Sequence, residues 1–316
     1  MKNAYLVRPD VPEDWVDSTV TDSETSVCLL TPVGPHDMLE VRDGIYRQGK
    51  GEPYHQHDIG TEIFYLAEGR VEATIRGKTC TVNAGDMVFI PQGVPHGLRF
   101  PDRQTTWRVF LQGMNVYRRR IARNTIAAHY PQLMDDPEFC AMFARENGSF
   151  PREPAVARPA RPGELPELRT PDFGWSEFEL PGALLRQVVG RWETGGLYEV
   201  WRVQARRGLS VRWDDPHPDW ELYQVTRGRV RFEVLGEAFE ATDGQLVRIP
   251  PYTAHALRVL SDEAVVHDMG CPIRLLSLLE DRLSLAQHRP QVLQDPQARR
   301  AFLRKHRCFV TDWRMD

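Results

Sequence analysis

Residues 49–69 read GKGEPYHQHDIGTEIFYLAEG, and this stretch carries the strongest signal for both a fold and a site. His55 and His57 are two residues apart, so on a β-strand both imidazoles lie on the same face. Glu62 follows after four intervening residues, which is enough for a tight turn that returns on a neighbouring strand. We therefore expect these three side chains to reach one point.

A second stretch, residues 85–96, reads GDMVFIPQGVPH and adds a fourth side chain. Gly85 ends a turn, Pro91 and Gly93 flank another, and His96 begins the next strand. Three neutral imidazoles and one carboxylate form a mixed nitrogen and oxygen donor set. Such a set suits Fe(II), Mn(II), Ni(II), Zn(II) or Cu(II). Four ligand-type residues on one spacing template disfavour the alternative of solvent-facing strand residues. The sequence predicts one divalent metal ion bound by His55, His57, Glu62 and His96.

The chain repeats itself with a constant offset of 159 residues. The offset relates the two halves at many positions, among them Gly49 and Gly208, Glu62 and Glu221, Gly85 and Gly244, Pro91 and Pro250, and His96 and His255. Chance would not keep one register over a hundred residues, so a domain was duplicated. The proline-rich stretch 151–166 reads as an exposed linker. We predict a first domain at 1–150 with an intact metal site and a second domain at 167–316 with a degenerate one.

Within each half, short β-type runs come first and helical sequence comes last. The strand runs are separated by glycine and proline, which predicts an all-β sandwich or barrel. Asp136-Pro137 and Asp295-Pro296 each predict a helix start, with Asp as the N-cap and Pro at the first helical position.

The spacing G-x5-H-x-H-x4-E-x6-G, followed by G-x5-P-x-G-x2-H, resembles the two sequence motifs of the cupin superfamily. Gly49, His55, His57, Glu62 and Gly69 match the first motif, and Gly85, Pro91, Gly93 and His96 match the second. The asparagine that often closes the second motif is replaced by Phe100. That asparagine is not a metal ligand, so the predicted ligand set is unaffected. The resemblance implies two tandem cupin jelly-roll barrels, each followed by short C-terminal helices. It further implies that the metal lies inside the first barrel, with about two coordination positions left for water, substrate or dioxygen.

The second half lacks part of the ligand set. The offset places Asp214 and Pro216 where His55 and His57 stand, while Glu221 and His255 are retained. Proline cannot be a side-chain ligand. A local slip of one residue would instead supply Asp215, His217, Glu221 and His255. The possible second metal site therefore draws on Asp214, His217, Glu221 and His255. The alternatives are a scaffold without a ligand and a cavity that binds an organic molecule.

The side chains beside the ligands indicate the type of substrate. Period-two alternation from Glu62 and His96 turns Phe64, Leu98 and Phe100 inward, and no arginine or lysine falls on these inward positions. An anionic substrate would favour a cation there. In length, two barrels and ligand set, the chain resembles the quercetinase-like bicupin dioxygenases.

This resemblance favours an Fe(II) dioxygenase acting on an aromatic or enol-bearing small molecule, with dioxygen as a possible co-substrate. Glu62 would be a ligand that also acts as the catalytic base. The alternatives are a non-redox isomerase, decarboxylase or cyclase, and a non-catalytic small-molecule binding protein.

Composition excludes several other classes. The net charge is −4 with acids and bases well mixed, so neither a nucleic acid nor a membrane surface is an expected partner. The chain shows no long apolar run, and its five cysteines form no CxxC pair. We expect a cytoplasmic protein with reduced thiols, whose two halves form a pseudo-dimer within the chain and which can also form a homodimer.

Overall fold

The computed structural model of the protein describes residues 4–20, 24–32, 39–152, 157–161, 163–213, 220–270, 275–306 and 310–315. The chain forms two compact units. One consists of Val11–Asp172 and is called the first barrel here. The other consists of Met1–Asp10 together with Phe173–Asp316 and is called the second barrel.

The first strand, β1 (Leu6–Val7), belongs to the second barrel. The first barrel contains a 3₁₀ turn at Pro12–Asp14 and the strands β2 (Asp17–Val20), β3 (Glu24–Leu30), β4 (Leu39–Arg47), β5 (Gly51–His57), β6 (Thr61–Glu68), β7 (Arg70–Ile75), β8 (Lys78–Asn83), β9 (Met87–Ile90), β10 (His96–Arg99), β11 (Gln104–Gln112), β12 (Ser149–Pro151), β13 (Arg158–Pro159) and β14 (Leu168–Arg169). Its helices α1 (Val116–His129), α2 (Pro131–Met134) and α3 (Pro137–Glu146) lie between β11 and β12.

Two sheets enclose the core of the first barrel. Their strand orders are β14-β9-β6-β11-β4-β3-β2 and β12-β5-β10-β7-β8-β13. Strand β7 shows why these segments are strands, since its apolar residues Val71, Ala73 and Ile75 alternate with more exposed ones and are buried. They join Phe64, Leu98 and other side chains in one core cluster between the sheets.

The second barrel repeats this plan. It contains a 3₁₀ turn at Arg191–Thr194 and the strands β15 (Glu177–Leu180), β16 (Ala183–Val189), β17 (Glu199–Arg206), β18 (Leu209–Trp213), β19 (Glu221–Arg227), β20 (Arg229–Val234), β21 (Glu237–Thr242), β22 (Leu246–Ile249), β23 (His255–Val259), β24 (Glu263–Gly270) and β25 (Val310–Met315). Helices α4 (Leu275–His288), α5 (Pro290–Gln294) and α6 (Pro296–Lys305) lie between β24 and β25. The sheet orders are β1-β22-β19-β24-β17-β16-β15 and β21-β20-β23-β18-β25.

The predicted all-β architecture of two tandem barrels with short C-terminal helices is confirmed. Strands β3 and β16 begin 159 residues apart, as do helices α1 and α4. The helix starts also agree with the sequence, because the Asp136 carboxylate accepts hydrogen bonds from the backbone N–H groups of Glu138 and Phe139. Asp295 does the same for Gln297 and Ala298.

The structure draws the boundaries differently from the predicted limits 1–150, 151–166 and 167–316. The described part of the proline-rich stretch is attached to the first barrel, since β13 pairs with β8 and Leu165 is buried in that core. Strand β14 then pairs with β9, so the change of unit falls at residue 173. The proline content of the stretch predicted a linker. It gave no sign of the backbone pairing or of the burial of Leu165.

Two further observations concern the chain as a whole. No helix within the described residues is long and apolar enough to cross a membrane. Cys28, Cys80 and Cys140 are free thiols, and Cys271 and Cys308 lie outside the described residues.

Candidate metal centre

Strands from both sheets bring the four predicted ligands of the first barrel together. His55 and His57 come from β5, and His96 begins β10, where it pairs directly with His55. Residues paired in this way share a face of the sheet. Glu62 is the second residue of β6 in the opposite sheet and faces the same interior, in the cross-strand row of Leu111 and Ile90.

The donor atoms of these residues lie within a few ångströms of one another. Nε2 of His55 is 2.9 Å from Nε2 of His57, which is 3.3 Å from Oε1 of Glu62. Nε2 of His96 is 2.9 Å from Oε2 of Glu62. The three histidines form a cluster whose ligand atoms all lie within 4.8 Å. Distances near 3 Å are those expected between neighbouring ligands of one ion with bonds of about 2.1 Å.

The backbone fixes which nitrogen of two histidines carries the proton. Nδ1 of His55 lies 2.7 Å from the carbonyl oxygen of Pro53, and Nδ1 of His96 lies 3.0 Å from that of Val94. Each Nδ1–H therefore donates to the backbone, and each Nε2 keeps a lone pair directed at the cluster. Although His96 Nε2 and Glu62 Oε2 are close, neither is aligned for a hydrogen bond. Facing lone pairs at such distances repel unless a cation lies between them.

The charges of the site favour a cation as well. Burial, and then the nearby His96, lower the pKa of His55 to about 4, so this ring is neutral near pH 7. Burial alone would raise the pKa of the Glu62 carboxyl, but its close contacts with His57 and His96 outweigh this effect and hold that pKa well below its usual range. Burial lowers the pKa of His96, and its contact with Glu62 raises it above the ordinary value overall. The ionised carboxylate thus attracts positive charge, which either protons or a metal ion can supply.

The donor set fits a divalent transition metal. It offers three imidazole nitrogens and one carboxylate, and no thiolate takes part. His96 is fully buried, whereas His55 and His57 are partly exposed, so one side of the cluster is open to solvent. An open position is typical of a catalytic metal site, while structural sites are closed.

Comparison with known proteins identifies the family. The family model for the cupin domain matches the chain twice, at residues 44–110 and 203–267. The chain contains two cupin domains and is in that sense a bicupin. It is similar to quercetin 2,3-dioxygenase of Bacillus subtilis, with 24% identity over 230 residues that cover 67% of each chain. Both matched segments contain the strands that hold the metal ligands or their counterparts.

Solved structures show the same fold. Oxalate decarboxylase of Lactobacillus farciminis, in complex with formate, has a TM-score of 0.54 at 16% identity and covers 86% of this chain and 87% of its own. A deletion mutant of Bacillus subtilis oxalate decarboxylase has a TM-score of 0.51 at 17% identity, with 81% and 75% covered. Mn(II) centres are described for the latter enzyme. At least one protein with this fold thus contains Mn(II), and identities this low establish only the shared fold.

The three predicted pocket residues, Phe64, Leu98 and Phe100, are buried and belong to the core cluster of the first barrel. Phe64 stacks on Trp107, with ring centroids 4.6 Å apart and planes inclined by 5°. Phe100 stacks on Tyr46 at 4.2 Å. These rings form one aromatic group, which begins next to the ligand His96, 6.3 Å from Phe64. Their role as a substrate pocket stays a prediction.

Strict alternation did not foresee that Arg42 and Glu52 face the interior. Arg42 shares a cross-strand row with Val109 and Phe64, so an arginine does face inward. Its guanidinium contacts Glu40 at 3.0 Å and Ser26 at 3.2 Å, which neutralise and occupy it. The second missed residue, Glu52, pairs with the buried Leu98 because β5 is irregular between Glu52 and His55. Pro53 was the available signal, since proline within a strand often marks a bulge.

The second barrel brings only part of the predicted second site together. Oε2 of Glu221 and Nε2 of His255 are 2.8 Å apart, and both are buried. The Tyr223 hydroxyl donates to the same Glu221 oxygen at 2.8 Å and lies 3.3 Å from His255 Nε2. Sequence reasoning did not foresee this hydroxyl at the site, although its counterpart Phe64 was assigned inward. Asp214 and His217 lie outside the described residues.

The register of β18 changes the expected correspondence between the barrels. Trp213 pairs with His255, as His55 pairs with His96. The constant offset had placed Asp214, not Trp213, in the position of His55. At this strand the two halves therefore correspond with a shift of one residue, because β5 contains an irregularity that β18 lacks.

Proposed function

We propose that this bicupin is a metal-dependent enzyme whose reaction takes place in the first barrel, and that it is a dioxygenase acting on an aromatic or enol-bearing small molecule. The observation that carries the proposal is the convergence of three imidazole nitrogens and the Glu62 carboxylate on one point, with an open side at His55 and His57. A bound divalent ion, for which we favour Fe(II), supplies Lewis acidity and a centre at which dioxygen and substrate meet.

The chain's own residues would bind, orient and deprotonate the substrate. The aromatic group of Phe64, Trp107, Phe100 and Tyr46 offers an apolar wall beside the ligands that suits a flat, uncharged ring. Glu62 lies beside two of the histidines, and in this proposal its carboxylate moves away from the ion to accept a proton from a substrate hydroxyl. The similarity to a quercetin dioxygenase supports this substrate class.

A non-redox reaction at the same ligand set is the second candidate. It is favoured by the solved structures, since the oxalate decarboxylases share the fold over four fifths of the chain. Decarboxylation, isomerisation or cyclisation at such a site would consume no oxygen overall, which distinguishes it from the dioxygenase reaction.

Metal content and oxygen uptake test the proposal. The protein is purified without added metal or a metal-binding tag, and its metals are measured by mass spectrometry beside a His55→Ala/His57→Ala variant. Oxygen uptake is then recorded with quercetin and simpler phenols, and formate and carbon dioxide are recorded with oxalate. About one iron per chain and uptake with a phenol, both lost in the variant, support the dioxygenase. Products from oxalate without uptake support the second candidate, and a protein that takes up no metal after reconstitution contradicts both.

A further inference from the structure

Glu52 is a carboxyl group inside the first barrel, one inward position below the metal ligands. On β10 the inward residues His96 and Leu98 are separated by one residue, and they pair with His55 and Glu52 on β5. Two residues, Pro53 and Tyr54, therefore lie opposite the single Gly97. This is the arrangement of a β-bulge, and it lets both His55 and Glu52 face the interior.

The surroundings of Glu52 are acidic and polar. Burial, and then the neighbouring Glu62 carboxylate, raise the pKa of Glu52 to about 8, and Glu24 adds to the effect. The Tyr46 hydroxyl donates to Oε1 of Glu24 at 3.1 Å, and its ring stacks on Phe100. The interior thus has a polar end made by Glu52, Tyr46 and Glu24 next to its aromatic wall.

Arg42, the arginine that faces the interior, is already paired and is not available to bind an anionic ligand. Arg42 already binds Glu40 and Ser26, and Glu40 accepts a further hydrogen bond from the backbone N–H of Tyr117 at 3.0 Å. The pKa of Glu52 is raised by Glu62 and Glu24 and lowered by His96, and Glu52 in turn raises the pKa of Tyr46. Among the described residues, none of the groups that shift the pKa of Glu52 is an arginine or lysine.

We propose that Glu52 determines the substrate class of the first barrel: it excludes small dicarboxylates such as oxalate and selects neutral substrates that carry a hydroxyl group. The inference rests on the proposed metal-dependent function of that barrel. A dicarboxylate bound to the metal through one end would place its other end among carboxyl groups with no cation to pair with it, and like charges in a desolvated site repel strongly. A substrate hydroxyl, in contrast, can hydrogen-bond to Glu52.

The second barrel provides the matched substitution. The residue that corresponds to Glu52 there is Val211, which pairs with Leu257 as Glu52 pairs with Leu98, and it is buried. Glu52→Val therefore introduces a side chain that this fold already accepts at the position, while Glu52→Gln removes the charge and keeps the shape. Glu68→Gln is the control, because Glu68 ends β6 on the exposed side of the barrel.

The experiment uses the full chain loaded with Mn(II) and measures the binding of oxalate and of catechol, a neutral diphenol, by calorimetry. A bound cation would favour the ionised form of Glu52 and so oppose the effect of burial on its pKa. We expect oxalate to bind at least tenfold more tightly to Glu52→Gln and Glu52→Val than to the wild type. Catechol should bind severalfold more weakly to Glu52→Val, and Glu68→Gln should match the wild type in both.

The outcomes separate this inference from the function on which it rests. If the wild type and Glu52→Gln both hold about one Mn(II) per chain and bind oxalate equally well, Glu52 does not set the substrate class, while the metal site stands. If the wild type holds no Mn(II), the proposed function fails and this inference fails with it. An increase of oxalate affinity in Glu68→Gln as large as in Glu52→Gln would also overturn the inference, because the effect would then be one of net charge alone.

Discussion

Strands β5 and β18 occupy the same place in the two repeats but pair differently with the strand beside them. In the first barrel, Pro53 and Tyr54 lie opposite one residue of β10, Gly97. In the second barrel, β18 pairs with β23 one to one from Ser210 to Trp213. The residue in the position of Gly97 is Ala256.

This difference shows that strand register, as well as substitution, changes which side chains a barrel can offer to a metal ion. The bulge turns both Glu52 and His55 inward, and His57 follows on the same face. Without the bulge, β18 places Trp213 opposite His255. The polar groups inside the second barrel are therefore different ones. The Tyr223 hydroxyl donates to Glu221, and Asp268 lies in the cross-strand row of Tyr223 and Trp201. Burial, and then Glu221 and Glu199, raise the pKa of Asp268 well above its usual value.

The largest expected effect is on metal content. Replacing His55 and His57 by alanine should weaken metal affinity by more than about 100-fold, since the loss of an outer-shell partner alone costs 10- to 100-fold. His255→Ala, the matched change in the second barrel, should leave about one metal ion per chain. Mass spectrometry of the purified proteins measures both. Two ions in the wild type, with one lost in His255→Ala, would show that both barrels bind metal.

Acidification should lower the unfolding free energy of the metal-free protein through His55, a residue whose place in the second barrel is taken by Trp213. The pKa of His55 is about 4 in the fold and about 6.5 when unfolded. Between these values the unfolded chain binds a proton that the folded chain does not, so stability is present above pH 6.5 and is lost as the pH falls towards 4.

Urea unfolding at pH 7.5 and 4.5, in the presence of a chelator, measures this loss against a His55→Gln variant. The wild type should lose more unfolding free energy than the variant, by on the order of 2 kcal/mol once partial exposure is allowed for. Equal losses in the two proteins would mean that His55 does not titrate in this range.

Gly97→Ala tests the bulge itself. A Cβ at this position would lie 3.0 Å from Cα and 3.1 Å from the nitrogen of Tyr54, so the backbone of β5 has to shift. Overpacking of this kind costs about 1–3 kcal/mol. We expect His55 to be displaced and metal affinity to fall about tenfold. Ala256→Gly in the second barrel is the control and should change metal content by less than twofold. A Gly97→Ala protein with unchanged affinity would show that the bulge does not depend on this glycine.

How far the sequence could predict the site depends on where the period-two rule holds. The convergence of the four predicted ligands could be predicted from the motif spacing. The inward positions of Phe64, Leu98 and Phe100 could be predicted as well, because alternation holds along β6 and around β10. The inward position of Glu52 and the equivalence of Trp213 with His55 could not be predicted. A β-bulge changes the face to which the following residues point, and the composition of the strand gives no sign of it. Arg42 was missed for another reason: β4 carries no ligand from which alternation could be counted, and only the pairing of β4 with β11 shows which face is inward.

The smallest expected effect concerns the hydroxyl that occupies the second site. Tyr223→Phe removes the hydrogen bond to Glu221 and leaves the ring that Phe64 provides at the matching place in the first barrel. Such a loss costs about 1 kcal/mol of unfolding free energy, because the Glu221 oxygen retains its contact with His255. Urea unfolding measures this cost, and Phe64→Tyr is the reciprocal variant. Metal content should not change in Tyr223→Phe if the hydroxyl only completes a hydrogen-bonded pair. A fall of about one ion per chain would instead identify Tyr223 as part of a second metal site.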